Sequence, residues 1–229
     1  MFMTEMPSNI SEAEQRFQWI YQTLRSRIIL LDYQPGTRLS EEQLADEFKV
    51  SRTPIRRVLN RLEVEGLLEI RHGAGNFVTE LSMPELLEVF ELRMELVRLI
   101  DVLAPRAASA NLIQRLQNLQ MACLSITKHP KPKRRFAEVN VEVFLSFMDL
   151  VGNQPLRAVQ EQLFYRTARM WPYLLDEKNV GYEAELLHAE ISEALRLLAN
   201  NDYPSFGHLY RCHLAMACQR LATMQTTGV

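Results

Sequence analysis

Between Phe48 and Leu62 stand five basic residues, Lys49, Arg52, Arg56, Arg57 and Arg61, with no acid among them. Guanidinium groups on one helix face suit two partners, phosphate oxygens and the O6/N7 edge of guanine. Ile55, Leu59 and Leu62 recur at helical spacing through the same stretch, so they face a core. Arg52, Thr53, Arg56, Arg57 and Asn60 then fall mostly on the opposite side. Most charge runs are merely solvated faces. Here capping, spacing and charge agree on a helix built to meet a polyanion.

The flanking residues supply what must position that helix. Ser40 caps a preceding helix, with Gln43 three residues on to complete a capping box. Leu44, Ala45 and Phe48 form its apolar face, and Val50 is the buried residue of the turn. Ser51 caps the basic helix, and Pro54 sits in its first turn, where a missing N–H does no harm. Two close helices of this kind form a helix-turn-helix. After Gly66, residues 67–70 read as a strand, 71–75 as a turn, and Phe77-Val78 as the start of a second strand. That hairpin is a wing whose tip, with Arg71, His72 and Gly73, reaches an adjacent groove. An earlier helix runs from Ser11, with Glu14 completing a second capping box, to about Leu30; Phe17, Ile20, Leu24 and Ile28 mark its inner face. Residues 1–10 read as a loose tail.

The run from Pro35-Gly36 through LSEEQLADEFKVSRTPIRRVLNRLEVEGLLE to HGAGNFV resembles the winged-helix domain of GntR-type bacterial transcription regulators. The resemblance covers about the first third of the chain. It implies DNA contacts from Arg38, Ser51, Arg52, Thr53, Arg56, Arg57, Arg71, His72 and Gly73. The chain departs from the family at two places: Glu42 stands where arginine is common, and Arg57 where glutamate is common. The expectation is a charge-exchanged pair across the two helices.

The whole chain of 229 residues suggests two domains: 1–80, winged helix-turn-helix, and 83–229, all-helical. Its formal net charge of −2 lends no support to nucleic-acid binding, which rests on the local basic helix. Cys123, Cys212 and Cys218 show no metal-ligand spacing. Their odd number, with no secretory signal, favours a reducing cytoplasm. No apolar run approaches the ~18 residues needed to span a bilayer.

From Met83 on, the pattern is helical. A first helix is expected to continue to about Ser109, with a kink or break at Pro105. A second spans 111–126, with Ile113, Leu116, Leu119 and Leu124 inward. Residues 128–135 form a basic loop in which two prolines preclude a regular helix; a solvated connector is its expected role. Further helices cover 136–151, 154–175 with a bend at Pro172, 182–199 and 203–224. The fold class is therefore mainly α, a winged helix-turn-helix followed by an all-helical bundle.

ELRMELVRLI at 91–100, NVEVFLSFMDLVGN at 140–153, LLHAEISEAL at 186–195 and NDYPSFGHLYRCHL at 201–214 resemble the FCD-type ligand domain of the family's FadR subgroup. Members sense small metabolites, often organic acids, and many hold a divalent metal through one aspartate and three histidines. Carried over by position, those ligands fall on Asn140, Phe144, His188 and His213. Phenylalanine has no donor atom and a neutral amide is a poor substitute for a carboxylate. Two imidazoles make a weak site, because zinc normally takes three or four protein donors. The site is incomplete, and no metal or other cofactor is expected. His188 and His213 are instead expected to line one cavity with Asn140 and Phe144. Arg93 matches an arginine common in the family's first ligand-domain helix, and Arg166 and Arg169 are further candidates for an anionic group.

Together these readings imply a cytoplasmic, ligand-responsive transcription regulator, a homodimeric repressor of double-stranded operator DNA modulated by a small acidic effector. Two rivals follow: a DNA-binding protein whose pocket senses nothing, and a metal-dependent or acid-base enzyme using His188 and His213. No nucleophile motif, phosphate loop or complete metal set supports the enzyme.

Overall fold

The computed structural model of the protein describes residues 11–227; the expected tail at 1–10 lies outside them. The chain divides into two compact units, Met1–Leu81 and Ser82–Val229.

In the first unit, α1 (Glu12–Ile29) is capped by Ser11, whose hydroxyl accepts from the Glu14 N–H at 3.3 Å. Its expected inner face is buried, with Tyr21 beside it. α2 (Glu41–Phe48) is capped by Ser40 in the same way, and ends at Lys49 in the left-handed conformation. That turn leads into α3 (Arg52–Val64), which buries Ile55, Val58, Leu59 and Leu62. Each such side chain contributes about 1.5–3 kcal/mol relative to exposure. Val50 is only half-buried, less than its place in the turn suggested. Ser51 has the extended backbone of a cap, but its side chain makes no capping bond.

The wing is a three-stranded antiparallel sheet, with β3 (Gly75–Val78) between β1 (Arg38–Leu39) and β2 (Leu68–Arg71). β1 has two residues, too short for an alternating pattern to be legible. The wing turn is closed by the Ala74 N–H on Arg71 O at 2.9 Å, and Gly73 supplies the positive φ it requires.

The second unit is a helical bundle: α4 (Met83–Val97), α5 (Ala110–Cys123), α6 (Pro132–Met148), α7 (Gln154–Ala168), α8 (Met170–Leu174), α9 (Val180–Ala199) and α10 (Tyr203–Thr227). α4 packs on α7 and α10, and α5 packs on α6 and α9.

Four expectations are corrected. α4 stops at Val97, well short of Ser109. Residues 98–109 turn back onto the end of α6 instead: the Arg106 N–H donates to Leu150 O at 2.8 Å, and the Gly152 N–H to Ala104 O at 3.0 Å. Pro105 disfavours helix at Ala104, which takes a φ of 52°, and the turn leaves Ile100 fully buried. On α5 the buried positions are Leu112, Leu116, Leu119 and Cys123, whereas Leu124 is exposed. α6 starts at Pro132, so half of the supposed basic loop is its first turn; proline at a first helical position costs no hydrogen bond. Arg134 and Arg135 there bond Glu138. Finally, the helix from Gln154 breaks at Arg169 rather than bending at Pro172. The ring of Pro172 conflicts with the carbonyl four residues back, at Ala168, where α7 ends.

Candidate nucleic-acid interface and interior cavity

All nine residues expected to meet DNA occupy exposed positions of the first unit. Arg52, Thr53, Arg56 and Arg57 lie on α3, and Ser51 just before it. Arg71, His72 and Gly73 make the wing tip. Arg38 reaches the wing from β1, its Nε about 3.1 Å from where a Cβ on Gly75 would stand.

The arginines of α3 are not equivalent. Arg56 donates through two nitrogens to Glu41 on α2, at 3.2 and 2.8 Å. This holds the Glu41 carboxyl below its ordinary range. Arg52 pairs with Glu42 at 3.1 Å, both side chains being largely exposed. Arg57 instead lies over the Phe17 ring, 5.0 Å from its centroid. The expected Glu42–Arg57 pair is therefore corrected: the partner of Glu42 is Arg52, because α3 turns Arg57 toward α1. Arg71 is held over Phe77 and against Glu69. Glu41, the partner of Arg56, escaped sequence reasoning, since nothing in its spacing shows that it meets the next helix.

The second unit encloses a cavity of about 70 Å³ between α4, α6, α7, α8, α9 and α10. That is room for water, and less than the ~150 Å³ of an engineered cavity that takes benzene. Its walls are aromatic: Phe90, Phe136, Phe144, Phe147, Phe164 and Trp171. Arg93 enters from α4 and is 4% exposed. It donates to Thr167 Oγ1 at 2.7 Å, and its Nε has no partner. The rings of Phe90, Phe144 and Phe164 lie 5.2–5.9 Å from its guanidinium carbon. Neighbouring Tyr210 is pushed up to about 12 by burial.

A second polar group lies on α9 and α10. Arg220 pairs through two bonds with buried Glu183, at 2.8 and 3.0 Å. Glu190 is raised to about 7 by burial, tempered by Arg220. His213 Nδ1 lies 3.7 Å from Glu190 Oε2, and burial with Arg220 nearby lowers its pKa.

Of the expected effector residues, Arg93, Asn140, Phe144 and His213 line this cavity, whereas His188 and Arg166 do not. His188 sits half-exposed on α9, its carbonyl accepting from Ser192; the pair of histidines expected in one cavity is thus reduced to His213. Arg169 is buried at the α7–α8 break, outside the lining. Thr167, Tyr210, Glu190 and Arg220 were not foreseen, because their helices meet only in the folded bundle.

The divalent metal of the resembling subgroup does not fit these residues. Phe144 stacks on Phe164, with centroids 3.7 Å apart, and offers no donor. Asp149 is engaged by Arg115 and Arg157, and Glu185 is exposed. Among the described residues, no three His, Cys, Asp or Glu side chains could together hold a metal ion.

Residues 17–78 match the profile of the gntR family of bacterial regulatory proteins. Over that stretch, about a quarter of its length, the chain is similar to the GntR family. Its members are described as bacterial regulatory proteins. The Nta operon transcriptional regulator of Aminobacter aminovorans is 44% identical over 61 residues, 27% of this chain and 29% of that protein. The HTH-type transcriptional repressor RspR of Escherichia coli is 40% identical over 68 residues, 30% of each chain. Such matches span about a third or less of these relatives' length. Over nearly its full length the chain shares the fold of E. coli McbR/YncC, with a TM-score of 0.76 and 21% identity, covering 93% of this chain and 99% of that one. A GntR regulator from Rhodococcus sp. RHA1 gives 0.72 at 16% identity, covering 91% and 98%. Among the described residues, no helix is long and apolar enough to cross a membrane.

Proposed function

We propose that this protein is a cytoplasmic transcription regulator that binds operator DNA and answers to a small organic acid. The observation that carries the reading is the exposed basic face of α3, beside a wing tipped by Arg71 and His72, in a stretch that matches a family of bacterial regulatory proteins. In such a domain α3 enters the major groove, its N-terminal residues reach base edges, and the wing meets the neighbouring groove. Arg38, Ser51, Thr53, Arg57 and Gly73 complete the contact surface. A homodimer would set two such helices one duplex turn apart on a pseudo-palindromic operator; repression follows if that operator overlaps a promoter.

The helical unit, which resembles the FCD type, is the sensor in this reading. The support is Arg93: a buried guanidinium with an unpartnered Nε, facing a cavity, is an incomplete charge system that an anion completes. The aromatic walls favour a compact acid with an apolar body, held without a metal. Asn140 and His213 supply neutral hydrogen-bonding groups. An effector shifts the DNA-binding equilibrium only by its differential affinity for the two states.

The experiment is binding of the full chain to duplexes drawn from the region upstream of its own gene, with and without small carboxylates. Salt-sensitive, sequence-selective binding to a two-fold site supports the reading, and sedimentation of the complex reports a dimer. Selective DNA binding that no carboxylate alters, with no carboxylate raising the melting temperature, would favour the rival reading of a pocket that senses nothing.

A further inference from the structure

We infer that Glu42 and Arg52 act as one reading unit, an acceptor beside a donor, that selects a cytosine next to a guanine in the operator. This rests on the DNA-binding reading proposed above and extends it to a residue whose charge opposes that reading.

Glu42 lies in the first turn of α2, and Arg52 opens α3. Their side chains stand 3.1 Å apart and are 70% and 59% exposed. The neighbouring pair behaves differently. Arg56 spends its Nε edge on Glu41, whose side chain is 27% exposed; that contact orients Arg56. The Glu42–Arg52 contact is a single approach between two open groups. It leaves one carboxylate oxygen of Glu42 and most of the Arg52 fork free to meet a ligand.

A carboxylate beside the first arginine of a recognition helix must be accounted for when duplex arrives. Phosphate repels it, and burial without a donor is costly. The major groove offers it two donors, cytosine N4 and adenine N6. Adenine sets its N7 acceptor beside N6, which repels a second carboxylate oxygen, whereas cytosine presents N4 with no acceptor of its own in the groove. The guanidinium fork of Arg52 matches guanine O6 and N7. The 3.1 Å between the two side chains is close to the ~3.4 Å rise between stacked base pairs. Guanine under Arg52 therefore places a cytosine of the adjacent pair under Glu42. Each charge keeps its partner in the complex, so the ion pair is not lost on binding.

The test is selection of bound sequences from a randomised duplex pool by the full-length protein, repeated for Glu42→Gln and Glu42→Arg at matched salt. The expected result is cytosine beside guanine in each half-site, with about tenfold or greater preference over the other bases. Glu42→Gln shifts that one position toward adenine, which an amide reads through N6 and N7. Glu42→Arg shifts it toward guanine. The rest of the selected site stays the same. An identical base preference in all three proteins overturns the inference while leaving DNA binding intact. Failure of the wild-type protein to enrich any sequence overturns the inference together with the reading beneath it.

Discussion

Arg93 on α4 donates to Thr167 Oγ1 on α7 across 2.7 Å of the helical unit's interior. No carboxylate is paired with it among the described residues. Burial pulls its pKa down, against the contribution of Tyr210. A buried cation without an acid costs stability, and an apolar side chain of similar length often costs less. Arg93→Met is therefore expected to melt at or above the wild-type temperature. Formate and acetate, probe acids compact enough for a cavity of about 70 Å³, should raise the wild-type melting temperature and leave that of Arg93→Met unchanged. An equal rise in both proteins would place the anion elsewhere.

Gly152 touches the segment that returns from α4. A Cβ there would stand 2.1 Å from the Ala104 carbonyl oxygen, a backbone atom. Gly152→Ala should thus cost about 1–3 kcal/mol, the usual range for overpacking. Urea unfolding of the full chain, followed by far-UV circular dichroism, measures it. A variant as stable as wild type would show that residues 98–109 do not dock as described.

Arg52→Ala and Arg56→Ala should each weaken operator binding by about 1–3 kcal/mol where the side chain reads a base. The two arginines have different acidic partners, so their effects need not be equal. Titrations at several salt concentrations separate the roles, since a lost phosphate contact lowers the salt slope by about one and a lost base contact does not. Wild-type affinity in both variants would remove α3 from the groove.

The swap against the family pattern now joins Glu42 to Arg52 and not to Arg57. Double-mutant cycles on folding stability should give a small coupling, ~0–1 kcal/mol, for Glu42 with Arg52. Glu42 with Arg57 should give none, since Arg57 rests on Phe17. The reverse ranking would return the pair to its sequence-based assignment.

Glu190 is raised by burial from an ordinary carboxylate value to about 7. Between those two values the folded chain holds a proton that the unfolded chain has lost, so this group's contribution to stability falls as pH rises through the window. His213, lowered by burial, acts in the opposite sense at lower pH: its contribution falls as pH drops below its unfolded value. Comparing wild type with Glu190→Gln isolates the carboxyl. The stability difference between them should change from about pH 4.5 to 7 and level off above. A difference that is constant with pH would mean that Glu190 is solvated.

The sequence by itself determined the first unit closely. Ser11 and Ser40 cap their helices through local bonds, and Ile55, Leu59 and Leu62 recur at a spacing that only a helix turns to one side. These signals are short-range, so no tertiary information was needed to read them. Breaks in the second unit were legible only in part: the ring of Pro172 displaces the carbonyl of Ala168, where α7 ends, whereas α4 ends at Val97, eight residues before Pro105. Tertiary structure alone decided which side chains meet. Arg52 rather than Arg57 faces Glu42 because α3 rolls Arg57 onto α1. His188 leaves the cavity that His213 enters because the two residues ride on different helices, whose rotation is set by what each buries. Thr167, Tyr210 and Arg220 join Arg93 from elements far apart in the chain, and no periodicity along one helix encodes the face that its neighbour presents.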